Sequence, residues 1–361
     1  MKQQRLIFIL AIIFIFSFSA FSQTPKPTPP PADDDDVIKI ESRLVVVPVS
    51  VVDANGEPVL GLKQQDFRVL EENKPQEIAE ISAAEQVPLE IALLIDVSSS
   101  VNKIFELEKS AAAQFLQEVM RPGDHATIFL ITDRPVLLQQ RDTAQKTAIN
   151  VRSIKSTKSP TAFYDTVRAA TQYLTKNAPP RSRRVILTLS DGEDNYSEFT
   201  RKSEVESLKG LDINKITQKD LDKRAVRTSR AHVLAQEDVM KSLQNADTVF
   251  YSVNPSGPSV RLNIASQRAQ NALQRFADQT GGAAFLPQFI TERDSQSFEQ
   301  KNIQILERIF RQISAELRAQ YLVQYYSEAD FPQNKYVKLD VSLNNPQNRR
   351  VRARQGYFVK N

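Results

Sequence analysis

The 361-residue chain has no cysteine and only two histidines, and these shortages remove several kinds of chemistry. Without a thiol there is no disulfide framework, no thiol nucleophile and no lipid-modified N-terminal cysteine, so stability rests on a packed core. His125 stands at a turn entering an apolar run, and His232 lies in a polar stretch. Neither a two-histidine zinc site nor a serine, histidine and acid triad can be drawn from them. Gly-x-Ser-x-Gly and Gly-x-x-x-x-Gly-Lys are absent as well, and Thr280-Gly281-Gly282 reads as a helix stop. A phosphatase with an aspartate nucleophile needs an acid two residues further on; two residues after Asp96 the chain has Ser98. No segment repeats at a fixed period, which sets array architectures aside. The expectation is therefore a protein that is not an enzyme.

Charge of one sign is also scarce. The formal charge is +4, and without the acid-free first 22 residues, which carry Lys2 and Arg5, 45 basic side chains face 43 acidic ones. That balance is too small to imply nucleic-acid binding. Lys2 and Arg5, an apolar block from Leu6 to Phe18 and the small residues of Ala20-Phe21-Ser22 predict a signal peptide over residues 1–22. The expected address is secreted or periplasmic, in the cell envelope, and no other segment is long and apolar enough to span a membrane. Residues 23–36 hold five prolines and the run Asp33 to Asp36, which predicts an extended, self-repelling linker.

Two kinds of periodicity follow. Over residues 37–88 short alternating apolar runs are broken by turn signals at Asn55-Gly56 and Asn73-Lys74-Pro75, a β-hairpin style. Residues 318–361 are strand-like again, and four short strands need closure by something else. The two terminal segments are therefore expected to pair into one smaller, immunoglobulin-like β-sandwich. Between them, residues 89–317 alternate apolar strand runs (IALLID, ATIFLIT, VILTLS, DTVFYSVN, AAFLP) with helical periods at 104–120, 142–154, 163–176, 233–245, 266–280 and 299–318. This predicts a doubly wound, Rossmann-like α/β domain with a mostly parallel sheet, whose ligand crevice lies beyond the carboxyl ends of the strands. Residues 196–232 interrupt the rhythm as a charged insertion with one or two surface helices. Arg181 to Arg184 read as solvating the start of a strand, and RRVRAR near the C-terminus as an edge strand with one wet face.

The informative motif is IALLIDVSSSV, residues 91–101, an apolar run ending in Asp96, Ser98 and Ser100. Thr161 lies in the loop KSPTAFYDTV, and Asp191 where VILTLS meets DGEDN. An oxygen-only set at strand ends suits a hard divalent cation; a plainer reading has Asp96 and the serines capping the next helix. Glu193 and Asp194 read as exposed acids beside the site. Together, Asp96, Ser98, Ser100, Thr161 and Asp191 resemble the metal-ion-dependent adhesion site of von Willebrand factor type A domains. The flanks VPVSVVDANGEPVLGLKQQDFRVLEENKPQEI and RRVRARQGYFV resemble the frame of bacterial secreted "VWFA-related" proteins, so that the likeness extends over most of residues 40–359. The resemblance implies that Ser98, Ser100 and Thr161 touch the metal while Asp96 and Asp191 orient them. It also implies Mg2+ as the cation, with Mn2+ or Ca2+ as alternatives, and a protein partner that presents an Asp or Glu to the metal. The alternative function is a structural or assembly factor of the envelope in which the site serves folding only. The partner's identity and the oligomeric state stay open.

Overall fold

A computed structural model describes residues 43–98, 103–209, 216–258, 263–290 and 295–359. The expected signal peptide and linker, and Ser100, lie outside the described residues. Four strands come first, β1 (Arg43–Val52), β2 (Phe67–Glu71), β3 (Lys74–Gln76) and β4 (Ile78–Ala83). An alternating region follows, with β5 (Leu89–Asp96), α1 (Lys103–Val119), β6 (His125–Ile131), β7 (Pro135–Asp142), α2 (Ala144–Ser153), α3 (Phe163–Asn177), β8 (Arg183–Leu189), α4 (Glu198–Leu208), α5 (Gln218–Asn245), β9 (Thr248–Val253), α6 (Ile264–Thr280), β10 (Ala284–Phe285) and α7 (Ser295–Arg318). The chain closes with β11 (Tyr321–Ser327), β12 (Tyr336–Leu343), β13 (Arg350–Ala353) and β14 (Gly356–Phe358).

The alternating region builds a six-stranded sheet of order β10-β9-β8-β5-β6-β7, parallel except for β7. Strand β5 is continuously buried from Leu89 to Ile95 because helices cover both faces. Leu89, Ile91, Leu93 and Ile95 pack on one side with Phe115 and Leu116 of α1 and Phe310 and Ile313 of α7. Ala92 and Leu94 pack on the other with Phe163, Val167, Leu243, Phe250 and Phe276. The terminal segments form two further sheets, β13-β1-β11-β4 and β14-β12-β2-β3. Their shared core takes Val45, Val47, Val49 and Val51 from β1, Val69 from β2, Val323 and Tyr325 from β11, and Val337 and Leu339 from β12. The expected combination of a mostly parallel α/β domain with a β-sandwich made from both ends of the chain is the architecture observed.

Polar contacts brace the sandwich against the α/β region. Arg352 on β13 bonds Glu316 of α7, which is fully buried, and Arg354 bonds Asp247 and the Val46 carbonyl. Gly281 ends α6 at φ +84°, and a Cβ there would lie 2.8 Å from the Ala353 carbonyl carbon, so glycine is needed both for the turn and for the close approach. RRVRAR is an edge strand, but the two arginines are not on a wet face: they point into this seam. Arg183 is likewise not a solvated strand start, since its Nη1 donates to the Leu317 carbonyl at 2.5 Å.

Two elements differ from expectation. The edge strand β7 has no strand signal in the sequence, because PVLLQQRD places Leu137 and Leu138 side by side without alternation. Helix α5 begins at Gln218 rather than near residue 233, held by a reciprocal cap in which Asp220 N donates to Thr217 Oγ1 and Thr217 N to Asp220 Oδ2. Its first buried residue is Ala231, so its opening turns carry no apolar stripe that could reveal them.

Candidate functional site

Parallel pairing of β5 with β8 sets Ile95 opposite Leu189, so the residues that follow each strand leave the sheet side by side. Asp96 is the last residue of β5 and is held by three donors: Ser98 N at 3.0 Å and Ser98 Oγ at 2.5 Å on Oδ1, and Ser190 Oγ at 2.8 Å on Oδ2. Burial raises its pKa, while these hydrogen bonds oppose the rise. Asp191 follows Ser190, and its Oδ1 accepts Glu193 N at 3.0 Å across Gly192, which sits at φ +75°. Burial, joined by the charges of Asp96 and Glu193, lifts the Asp191 carboxyl to about 6.

The threonine loop is tied to the same rim. Thr157 N donates to the Val97 carbonyl at 2.6 Å and Ala162 N to the Thr132 carbonyl at 2.7 Å, at the ends of β5 and β6. Thr161 N donates to Asn195 Oδ1 at 2.8 Å, and its carbonyl accepts Asn195 N and Tyr196 N. Thr161 is buried. The structure thus brings Asp96, Ser98, Thr161 and Asp191 to one rim; Ser100 lies outside the described residues.

The rim holds more than sequence reasoning named. Ser190 bridges the two strand ends, and Asn195 clamps the threonine loop. Glu108 in the second turn of α1 is only 5% exposed, its Oε1 lacks any partner among the described residues, and burial together with the charges of Asp96 and Asp191 raises its pKa to about 8. Against expectation, the neighbouring acids do not simply face solvent. Asp194 is buried, accepting Tyr164 N, Ser197 Oγ and Thr200 Oγ1, and so starts both α3 and α4. Glu193 bonds Ser266 near the start of α6. His232 packs edge-on against Tyr164 inside the fold, and burial lowers its pKa to about 4.

Among the described residues no group of three or more His, Cys, Asp or Glu side chains converges as a metal cage. A cation at this rim has to be held by hydroxyls and waters, with carboxylates behind them. The donor set fits that demand: all oxygen, two acids adjacent at strand ends, a buried threonine hydroxyl, and a buried carboxylate oxygen without a partner.

Comparison with known proteins bears on residues 91–193, which match the profile of the von Willebrand factor type A domain. No curated protein matches the sequence. Among solved structures, the PilB minor pilin from Streptococcus sanguinis is 11% identical with a TM-score of 0.42, over 64% of this chain and 62% of that one. The present chain thus spans less than two thirds of that pilin. The vWF domain of the type V pili tip protein Mfa5 from Porphyromonas gingivalis is 12% identical with a TM-score of 0.38, over 63% of this chain and 95% of that one. An aerotolerance-related membrane protein from Bacteroides fragilis, carrying multiple mutations to serines, is 12% identical with a TM-score of 0.34, over 61% of this chain and 99% of that one. No helix among the described residues is long and apolar enough to cross a membrane. The chain carries a von Willebrand factor type A domain, matched over residues 91–193, the span that contains the strand-end acids and the threonine loop.

Proposed function

We propose that the chain is an exported binding module that engages a protein partner through a divalent cation held at the strand-end rim. The reading is supported above all by one observation: Asp96, Ser98, Thr161 and Asp191 reach the same rim from three distant segments, cross-linked by the Asp96–Ser190 and Thr161–Asn195 hydrogen bonds. Ser98 and Thr161, with Ser100 by resemblance, would supply hydroxyl oxygens to the cation. Asp96 and Asp191 would orient those hydroxyls and the bound waters. A divalent ion kept mainly by neutral oxygens retains its electrophilicity, which is what an incoming Asp or Glu of a partner requires. Mg2+ suits a site with few protein ligands and several waters; Mn2+ and Ca2+ are the alternatives.

The test is direct. At a Mg2+ concentration 100 times its Kd, stability should rise by about 2.7 kcal/mol, reversibly with chelator, and Asp96→Ala should remove the increment. An unchanged melting temperature from micromolar to millimolar Mg2+, Mn2+ and Ca2+ refutes cation binding. One observation favours a second reading, a structural or assembly role in the envelope: both oxygens of Asp96 are already satisfied by Ser98 and Ser190 without any cation. Pull-down from envelope extract with and without chelator separates the two, since only the first reading gives a partner that is lost on chelation.

A further inference from the structure

We infer that Glu108 is a positioning residue of this rim, the acceptor that fixes a water of the bound cation and adds a third negative charge beneath it. This rests on the cation reading above. Glu108 lies on the buried stripe of α1, the stripe that contributes Phe105, Ala112, Phe115 and Leu116 to the core. An acid at such a position is expensive unless something satisfies it, because a desolvated carboxylate loses its water without compensation. Nothing among the described residues does: its Oε1 is buried and takes no hydrogen bond. The adjacent cation, Lys109, is engaged elsewhere, with Glu106 at 2.9 Å and the Ile154 carbonyl at 2.6 Å. Phe105, one turn before it on α1, shares a core cluster with Ile95 and Val97, the residues on either side of Asp96, and the charges that act on Glu108 are those of Asp96 and Asp191.

The strand-end acids can orient only some of the waters that a divalent cation with few protein ligands keeps. Both oxygens of Asp96 are taken by Ser98 and Ser190, and Oδ1 of Asp191 by Glu193 N. Waters on a divalent cation are strong donors and need acceptors behind them, and such outer partners set the affinity of a site as well as its geometry. The free oxygen of Glu108 meets that need. Glu108 is not itself a ligand, because the three acids do not converge on one point. Its contribution is therefore an oriented water and a charge.

The experiment uses the full chain and metal ions alone as probes. Mn2+ binding is followed by loss of the free-ion electron paramagnetic resonance signal, and Tb3+ binding by sensitised luminescence, in the wild type, Glu108→Gln, Glu108→Leu and Asp191→Asn. Removing an outer partner weakens binding by ~10-fold or more, so Glu108→Gln should lose ~10-fold for Mn2+. Coulomb attraction scales with ion charge, so the same lost charge should cost ~30-fold for Tb3+. Glu108→Leu should lose at least as much while melting in chelator at or above the wild-type temperature, because an apolar residue suits that buried position. A loss equal for both ions marks a distorted fold and overturns the inference. Wild-type affinity in both Glu108 variants, with weakened binding in Asp191→Asn, overturns it while leaving the cation site standing. A wild type that binds neither ion removes both readings.

Discussion

The raised acids at the rim make the stability of the apo protein depend on pH with a sign opposite to that of an ordinary ion-paired carboxylate. Asp191 has its carboxyl lifted from 3.8 to about 6. The folded chain therefore holds this proton over a range in which the unfolded chain has lost it. The stability it supports is fully present below pH 3.8 and is lost as pH rises through 6. Each pH unit separating the folded from the unfolded pKa is worth about 1.4 kcal/mol, so the loss is about 3 kcal/mol. Glu108, raised from 4.5 to about 8, continues the same trend into the neutral range. His232 works the other way: with its pKa lowered to about 4, it is charged in the unfolded chain and neutral in the folded one until pH passes 6.5. The informative quantity is thus the difference between wild type and Asp191→Asn, which keeps the shape and cannot titrate. In chelator, thermal unfolding followed by circular dichroism should show the wild type losing ground to Asp191→Asn between pH 4 and 7. For a folded region of about 300 residues, about 3 kcal/mol corresponds to roughly 5 °C. Cation binding favours the ionised acids, so added Mg2+ should stabilise the wild type strongly at pH 8 and weakly at pH 5. If the wild type and Asp191→Asn melt in parallel across that range in chelator, the rim carboxylate is not desolvated in the way described and the electrostatic account of the site fails.

Two further predictions concern the frame around the site. Glu316 is fully buried against the partly buried Arg352 at the seam between α7 and β13, and Glu316→Ala should cost about 3 kcal/mol by leaving the guanidinium without its partner; a denaturation midpoint equal to that of the wild type would show the seam to be wet. In the sandwich, Glu71 accepts Tyr325 Oη and Tyr357 Oη at 2.7 Å each and Ser327 Oγ at 2.8 Å. Glu71→Ala leaves three buried donors unmatched and should cost about 3 kcal/mol or more, whereas Tyr357→Phe alone should cost about 1–1.5 kcal/mol; urea melts of the two variants would expose the reverse order.

The parts of the fold that can be read from the chain are those in which one face or one end dominates. IALLID is apolar up to its acid and VILTLS nearly so, broken only by the buried Thr188 and Ser190, because helices cover both sides of β5 and β8, and each run stops at an acid because the sheet ends there. The rim residues Asp96 and Asp191 stand out for the same reason, as acids abruptly following buried runs. What stays hidden depends on packing between segments. Ser190 looks like one more small residue at a strand end until parallel register sets it beside Asp96. Asn195 gains its role only once the threonine loop folds over it. Glu108 sits in FELEKS, where glutamate and lysine alternate as on any solvated helix, yet its spacing from Phe105, Ala112 and Phe115 puts it on the apolar stripe. That spacing is the signal the sequence holds. Arg352 and Arg354 alternate with apolar residues as a wet edge would, and only the seam with α7 and Asp247 shows why their charges are needed.

Both crossings between the sandwich and the α/β region lie at the amino end of the central strands, and this bears on what the rim can do. The chain passes from β4 into Leu89, the first residue of β5, and returns from α7 through Gln320, whose carbonyl accepts Ala84 N at 3.0 Å. The rim begins at Asp96, the other end of the same strand, roughly 25 Å away for eight extended residues. The seam residues Arg183 and Leu317 are on the crossing side too, joined by their 2.5 Å hydrogen bond. A β-sandwich built from both termini can therefore lock the domain in place without covering the strand ends that carry Asp96 and Asp191. Had the crossings been at the carboxyl ends, the sandwich would have occupied the crevice where a doubly wound sheet receives its ligand. The topology leaves that crevice to the loops that follow the parallel strands and to the threonine loop before α3, which is the arrangement a docking surface for another protein requires.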